Sequence, residues 1–164
     1  MAGSMTTRLG WRVALAVVAW CVLAPFPGLA QTGLAGWERG GAYDRLYRPE
    51  AATTLTGRLV GIREAAPLPG MAPGPVLTVR TTDGTVVEAQ AGPSAFAKLL
   101  TYTVSPGDRL KIRGAFADVG GQTVFLVAKL RVNGAYVFKC RRTRDGVPYW
   151  SLSKETLIRE KLPQ

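Results

Sequence analysis

An all-β fold is what this chain of 164 residues predicts, and three observations predict it. Gly (19) and Pro (11) are too frequent for a helical bundle and suit a small protein full of turns. From Thr53 onward, short apolar runs alternate with turn signals. A single helical run interrupts them, after the third strand and before the fourth. That order belongs to a small OB-like barrel, here of five to six strands with one short helix between strands 3 and 4. A six-stranded sandwich or an SH3-like barrel is the alternative, and the SH3-like barrel has no helix at that place.

The elements follow in order. Residues 31–52, rich in Gly, Arg and Tyr, form an N-terminal arm whose Trp37, Tyr43 and Tyr47 are able to pack on the domain. Thr53–Arg63 is the first strand, with Gly57 and Gly61 marking coiling or a bulge. The Pro- and Gly-rich stretch 65–75 is a loop. Val76–Thr81 and Val86–Ala91 flank the hairpin turn Thr82-Asp83-Gly84-Thr85. Ser94 caps a short helix whose apolar face is Phe96, Leu99 and Leu100. Pro106-Gly107-Asp108 turns into the fourth strand, Arg109–Ala117, and Gly120-Gly121 joins it to the fifth, Gln122–Val132. Tyr136–Arg141 is a sixth. The barrel domain thus spans 53–151, and the tail 152–164 carries a short helix with Leu152, Leu157 and Ile158 as its apolar contacts.

Residues 1–30 read as an address. Arg8 and Arg12 precede an apolar run, Val13–Ala24, then Pro25-Phe26-Pro27 and the small residues Gly28 and Ala30. This is the form of a secretory signal peptide, with cleavage expected after Ala30 and a periplasmic destination. An uncleaved membrane anchor is the alternative. Trp20 before Cys21 excludes a lipoprotein site. Cleavage leaves Cys140 as the one cysteine, with no internal disulfide, and its place at the end of an apolar alternation makes it a buried small hydrophobe.

The chain has no histidine. Ser–His–Asp and Cys–His catalysis, His-ligated metals and haem attachment through CxxCH are therefore excluded. Asp108, Asp118 and Asp145 all sit in turn sequences, where acids shape backbone. No catalytic residue, metal ligand or cofactor is expected.

The charge is segregated. Residues 31–108 hold 7 basic and 7 acidic groups, whereas residues 109–164 hold 12 and 4. Alternate strand residues occupy opposite faces. Even positions (Leu110, Ile112, Phe116; Val124, Leu126, Leu130, Val132; Tyr136, Phe138, Cys140) then form the core. Arg109, Lys111, Arg113, Lys129, Arg131, Lys139 and Arg141 share the outer face, and Phe125 is the aromatic expected to point outward. Register parity requires a three-residue loop, Asn133-Gly134-Ala135, pairing Val132 with Tyr136. In the closing stretch RRTRDGVPYWS, Arg142, Arg144 and Trp150 are able to present cations beside an aromatic plate. The bland alternative is a rigid turn with Trp150 packed over a barrel end.

The run TLTGRLVGI (54–62) resembles the start of the periplasmic OB-like domain of the magnetosome protein MamS/MamX type. Ala42-Tyr43-Asp44, Asp83-Gly84, Pro106-Gly107-Asp108 before Lys111-x-Arg113-Gly114, and the closing Gly146-x-Pro148-x-Trp150-Ser151 agree with it over residues 42–151. Family members usually place an Arg-Asp pair before that glycine. Arg142 matches the Arg, Thr143 replaces the Asp, and Asp145 is the substitute at hand. The CxxCH motifs of multi-haem relatives are missing. The resemblance implies an exported OB-like module, associated in some members with iron-mineral or redox assemblies, and supplies no catalytic residue.

The expected function is a non-catalytic binding or adaptor module. Its basic strand face (Arg109, Lys111, Arg113, Lys129, Arg131, Lys139, Arg141) and its turn (Arg142, Arg144, Trp150) would dock an acidic periplasmic or membrane-attached protein. A structural envelope-stability subunit is the alternative, followed by a binder of an anionic polymer, a small ligand or a membrane surface. Single-stranded nucleic acid comes last, because the strand aromatics fall in the core phase and an exported protein rarely meets nucleic acid.

Overall fold

The fold is known from a computed structural model that describes residues 33–161. The expected signal segment and its cleavage site lie outside them. Six strands, β1 (Thr53–Ala65), β2 (Gly74–Thr81), β3 (Val86–Gln90), β4 (Arg109–Val119), β5 (Gln122–Val132) and β6 (Tyr136–Lys139), form one sheet. Helix α1 (Ser94–Thr103) stands between β3 and β4, and α2 (Lys154–Lys161) ends the described chain. The sheet order is β3-β2-β1-β4-β5-β6, and a short parallel pairing of β3 with β5 (Ala89↔Phe125, Gln90↔Leu126) closes the first five strands into a barrel. β6 takes the same edge of β5 farther along.

β1 is long because it serves two neighbours. Its first half pairs with β4 and its second with β2, and a register shift between Leu59 and Gly61 bends it from one to the other. Gly57 permits the close crossing: a Cβ there would sit 2.3 Å from the Arg80 carbonyl oxygen. The barrel interior holds Leu59, Leu77, Val79, Leu110, Ile112, Phe125, Val127 and Leu130, with Leu100 of α1 and the Cys140 side chain packed among them. The predicted loop at Asn133-Gly134-Ala135 is present and pairs Val132 with Tyr136. Asn133 adopts φ 50° there, and its carboxamide accepts from the Arg109 amide and donates to Asp108.

The expected phase fails in one place. Arg113 pairs with Lys129, but Gly114 pairs with Val127, so Ala128 is an extra residue and β5 inverts its faces below it. Phe125 consequently points into the barrel and is fully buried, whereas Val124 and Leu126 leave the barrel core for its outside. Phe116 keeps the inward phase at the open barrel end, 48% exposed and edge-on to Phe125 at 4.9 Å. The outer apolar patch left by the bulge (Ala115, Val124, Leu126, Ala128) is covered by Trp37, Tyr43, Tyr47 and Met71. The N-terminal arm is therefore the lid of a second core.

Two smaller expectations also change. Pro93, not Ser94, occupies the α1 cap position, and the Ser94 hydroxyl donates to Glu64 at 2.7 Å. Leu99 is 62% exposed, while Ala97 and Leu100 face the barrel. On α2, Ile158 is exposed and makes no core contact.

Candidate functional site

Strand register builds the basic face row by row. One row runs Thr54–Arg113–Lys129–Lys139 across β1, β4, β5 and β6, and the next runs Thr56–Lys111–Arg131–Val137. Lys111, Arg113, Arg131 and Lys139 are exposed, and Lys129 is half-buried between its two cationic neighbours. Like charges directly opposite one another repel. Among the described residues, none of these five enters an ion pair. A recess of about 300 Å³ opens beside Lys129 and Lys139, where Arg141, Arg142, Thr143, Arg144 and Tyr149 complete the wall.

Two members of the expected set turn inward. Arg141 has a side chain only 2% exposed, and its guanidinium donates to the Asp44 carboxylate at 2.5 Å and to the Gly146 carbonyl at 3.1 Å. It lies over the Tyr47 ring at 4.8 Å and the Trp150 ring at 5.1 Å. Trp150 in turn donates its indole N–H to the Trp37 carbonyl at 2.8 Å and packs edge-on against Trp37 and Phe96. The even–odd pattern put Arg141 outside because it assumed that the strand continued to that residue. β6 ends at Lys139, and both Cys140 and Arg141 donate their amides to the Ala128 carbonyl, so the bulge in β5 turns Arg141 toward the arm. Arg141 is thus buried against the arm, not on the outer strand face where the alternation put it, and Trp150 serves as a packing anchor.

The rest of the closing stretch is built the same way. Gly146 has φ 72° and abuts Tyr47 and Pro49, where a Cβ would lie 2.8 Å from each. Pro148 bridges to Arg141, and the Tyr149 amide donates to the Cys140 carbonyl at 2.9 Å. Arg142 forks onto Asp145. Burial raises the Asp145 carboxyl, but the Arg142 hydrogen bond and the Val147 amide outweigh it and hold the pKa below its ordinary value. Tyr43 hydrogen-bonds Gln90 at 2.6 Å, and burial drives its hydroxyl well above the ordinary range.

The turn acids act on backbone. Asp108 accepts from the Ser105 amide and from Asn133, and those bonds lower its pKa. Asp118 accepts from the Gly121 amide. Burial pushes the Cys140 thiol up to about 12, with Arg141 opposing, so no thiolate is available at neutral pH. Among the described residues no group of three or more Cys, Asp or Glu could hold a metal ion, and no helix is long and apolar enough to cross a membrane.

Sequence reasoning missed a third basic row. Arg80 of β2, Arg58 of β1 and Arg109 of β4 are directly in register on the outer face. Halving the chain at residue 108 concealed it, because Arg58 and Arg80 were balanced in the count by acids such as Asp83 and Asp108, which the fold engages in turn hydrogen bonds.

The profile of the MamS/MamX magnetosome protein family matches residues 51–137. The chain belongs to that family. The match runs from the turn before β1 into β6, so the MamS/MamX unit is the barrel itself, with its bulged β5 and most of the basic rows. Asp44, Arg141 and Trp150, which fasten the arm to this MamS/MamX barrel, lie outside the matched span. No curated protein matches the chain.

Proposed function

We propose that this MamS/MamX-family barrel is a non-catalytic exported adaptor that docks an acidic protein in an envelope assembly handling iron or electrons. The docking surface is the outer face of β4, β5 and β6, composed of Lys111, Arg113, Lys129, Arg131 and Lys139, with Arg142 and Arg144 at its margin. One observation carries the reading: cations stand opposite cations in two successive rows, and no described carboxylate pairs with those five. Each such opposition costs a few tenths of a kcal/mol, roughly 0.2–1. An acidic partner removes that cost and gains a complementary field. Arg141 and Trp150 fasten the turn to the arm, which leaves Arg142 and Arg144 of that turn at the edge of the face.

The experiment is capture of partners from periplasmic extract by the tagged protein, at about 50 and about 500 mM salt. The wild type is compared with a variant carrying Lys111→Glu, Lys129→Glu and Lys139→Glu. Partners held at low salt, released at high salt and lost to the folded variant support the reading. Capture that the charge reversal leaves unchanged refutes it.

A further inference from the structure

The third row adjoins the docking face, with Arg109 two residues before Lys111 on β4, but runs the other way, over β1 and β2, and goes beyond the docking reading. Arg80, Arg58 and Arg109 project from three adjacent strands, with Arg58 opposite both of the others. All three are exposed. They line a recess of about 390 Å³ together with Thr56 and Thr82. The Arg58 guanidinium is steadied by a hydrogen bond to the Gly107 carbonyl at 2.9 Å.

The nearby acids are otherwise engaged. Asp83 accepts from the Thr81 hydroxyl and the Thr85 amide, and Asp108 accepts from Ser105 and Asn133. Among the described residues, none of the three arginines forms an ion pair. Directly opposed strand residues have Cβ atoms roughly 5 Å apart, so the three side chains leave the barrel side by side around this recess.

We propose that this recess is a binding site for a condensed phosphate, of which pyrophosphate is the smallest example. Arginine forks match oxyanion geometry in pairs of hydrogen bonds. A single carboxylate neutralises one of three guanidiniums, whereas linked phosphoryl groups bring three or more negative charges within one compact anion. Thr56 and Thr82 place hydroxyl donors at the margin. Arginine, not lysine, occupies all three positions, as a geometric receptor requires and a merely solubilising surface does not.

The test is calorimetric titration of the full chain with pyrophosphate at low ionic strength and neutral pH, with citrate as a carboxylate of comparable charge. The expected result is one site per chain, with pyrophosphate at least tenfold tighter than citrate. Arg80→Gln should weaken pyrophosphate at least tenfold, and Arg80→Lys, which keeps the charge but loses the fork, should recover only part of that. Lys139→Gln, in the docking face, should change it less than threefold. Circular dichroism establishes that each variant is folded. No measurable pyrophosphate binding, equal affinity for citrate, or indifference to Arg80→Gln in a folded variant would overturn the proposal. The docking face is scored separately by Lys111, Lys129 and Lys139, so either site can fail without the other.

Discussion

The carboxylate of Asp44 and the guanidinium of Arg141 meet at 2.5 Å across 97 residues of sequence. This contact joins the arm to the closing turn on the outside of the barrel. Arg141 is almost wholly buried, and its remaining surfaces are spent on Gly146, Tyr47 and Trp150. Removing one partner of a buried pair leaves an uncompensated charge. Asp44→Asn is accordingly expected to cost about 3 kcal/mol in urea unfolding, with a smaller additional loss when Arg141→Met is combined with it. Additive single and double losses would show that the two side chains are not coupled.

Trp37 anchors the arm. It is buried, donates its indole N–H to the Ala72 carbonyl at 2.8 Å and packs edge-on to Tyr43 at 4.6 Å. Trp37→Ala should destabilise the whole domain by about 3–5 kcal/mol, the range for a large aromatic deleted from a core. A loss near zero, read from the thermal midpoint, would mean that the arm is a dispensable appendage.

The cationic rows predict a gain. Lys129 stands between Arg113 and Lys139, so Lys129→Gln removes two repulsions and should raise stability by about 0.5 kcal/mol at low salt. The gain should shrink in about 500 mM salt as exposed charges are screened. A salt-independent change would assign the effect to packing.

Cys140 predicts an alkaline limb. Its thiol is raised from 9.0 to about 12 in the native fold, so the unfolded chain loses the proton first as pH rises. Its contribution is complete below pH 9 and is lost as pH climbs through about 12. Tyr43 and Tyr47, ordinarily 10.0 and also raised, contribute mainly above that value, so Cys140 is the largest single contributor to the slope between pH 9 and 10. Cys140→Ala should flatten it. In a Cys21→Ser background, an aromatic disulfide reagent at pH 8 should label Cys140 only as fast as the protein unfolds, and rapid labelling of the native state would contradict its burial.

Asp83 and Asp108 predict an acid limb. Hydrogen bonds from Thr81 and Asn133 hold these exposed carboxylates below their ordinary 3.8. The stabilisation is present above that value and is lost as pH falls through the lowered native values. Asp108→Asn should reduce the fall in thermal midpoint between about pH 5 and pH 2.

The sequence by itself determined the strands, the turns and the order that makes an OB-like barrel, because alternation, glycine and proline act over a few residues. It located the Asn133 loop and the register of the last hairpin, since parity alone requires Val132 opposite Tyr136. It also determined that Lys111, Arg113, Lys129, Arg131 and Lys139 share an outer face. What only the tertiary structure decided is what lies across strands and across the chain. One extra residue, Ala128, inverts the faces of β5, sends Phe125 inward and leaves an apolar patch that the arm must cover. That cover turned Arg141 from a surface candidate into a buried anchor and Trp150 into a half-buried one. Arg58 and Arg80 entered the basic surface only when β1 was laid between β2 and β4. A bulge changes the phase of every residue beyond it, and charge acts through space, so neither effect is contained in local periodicity.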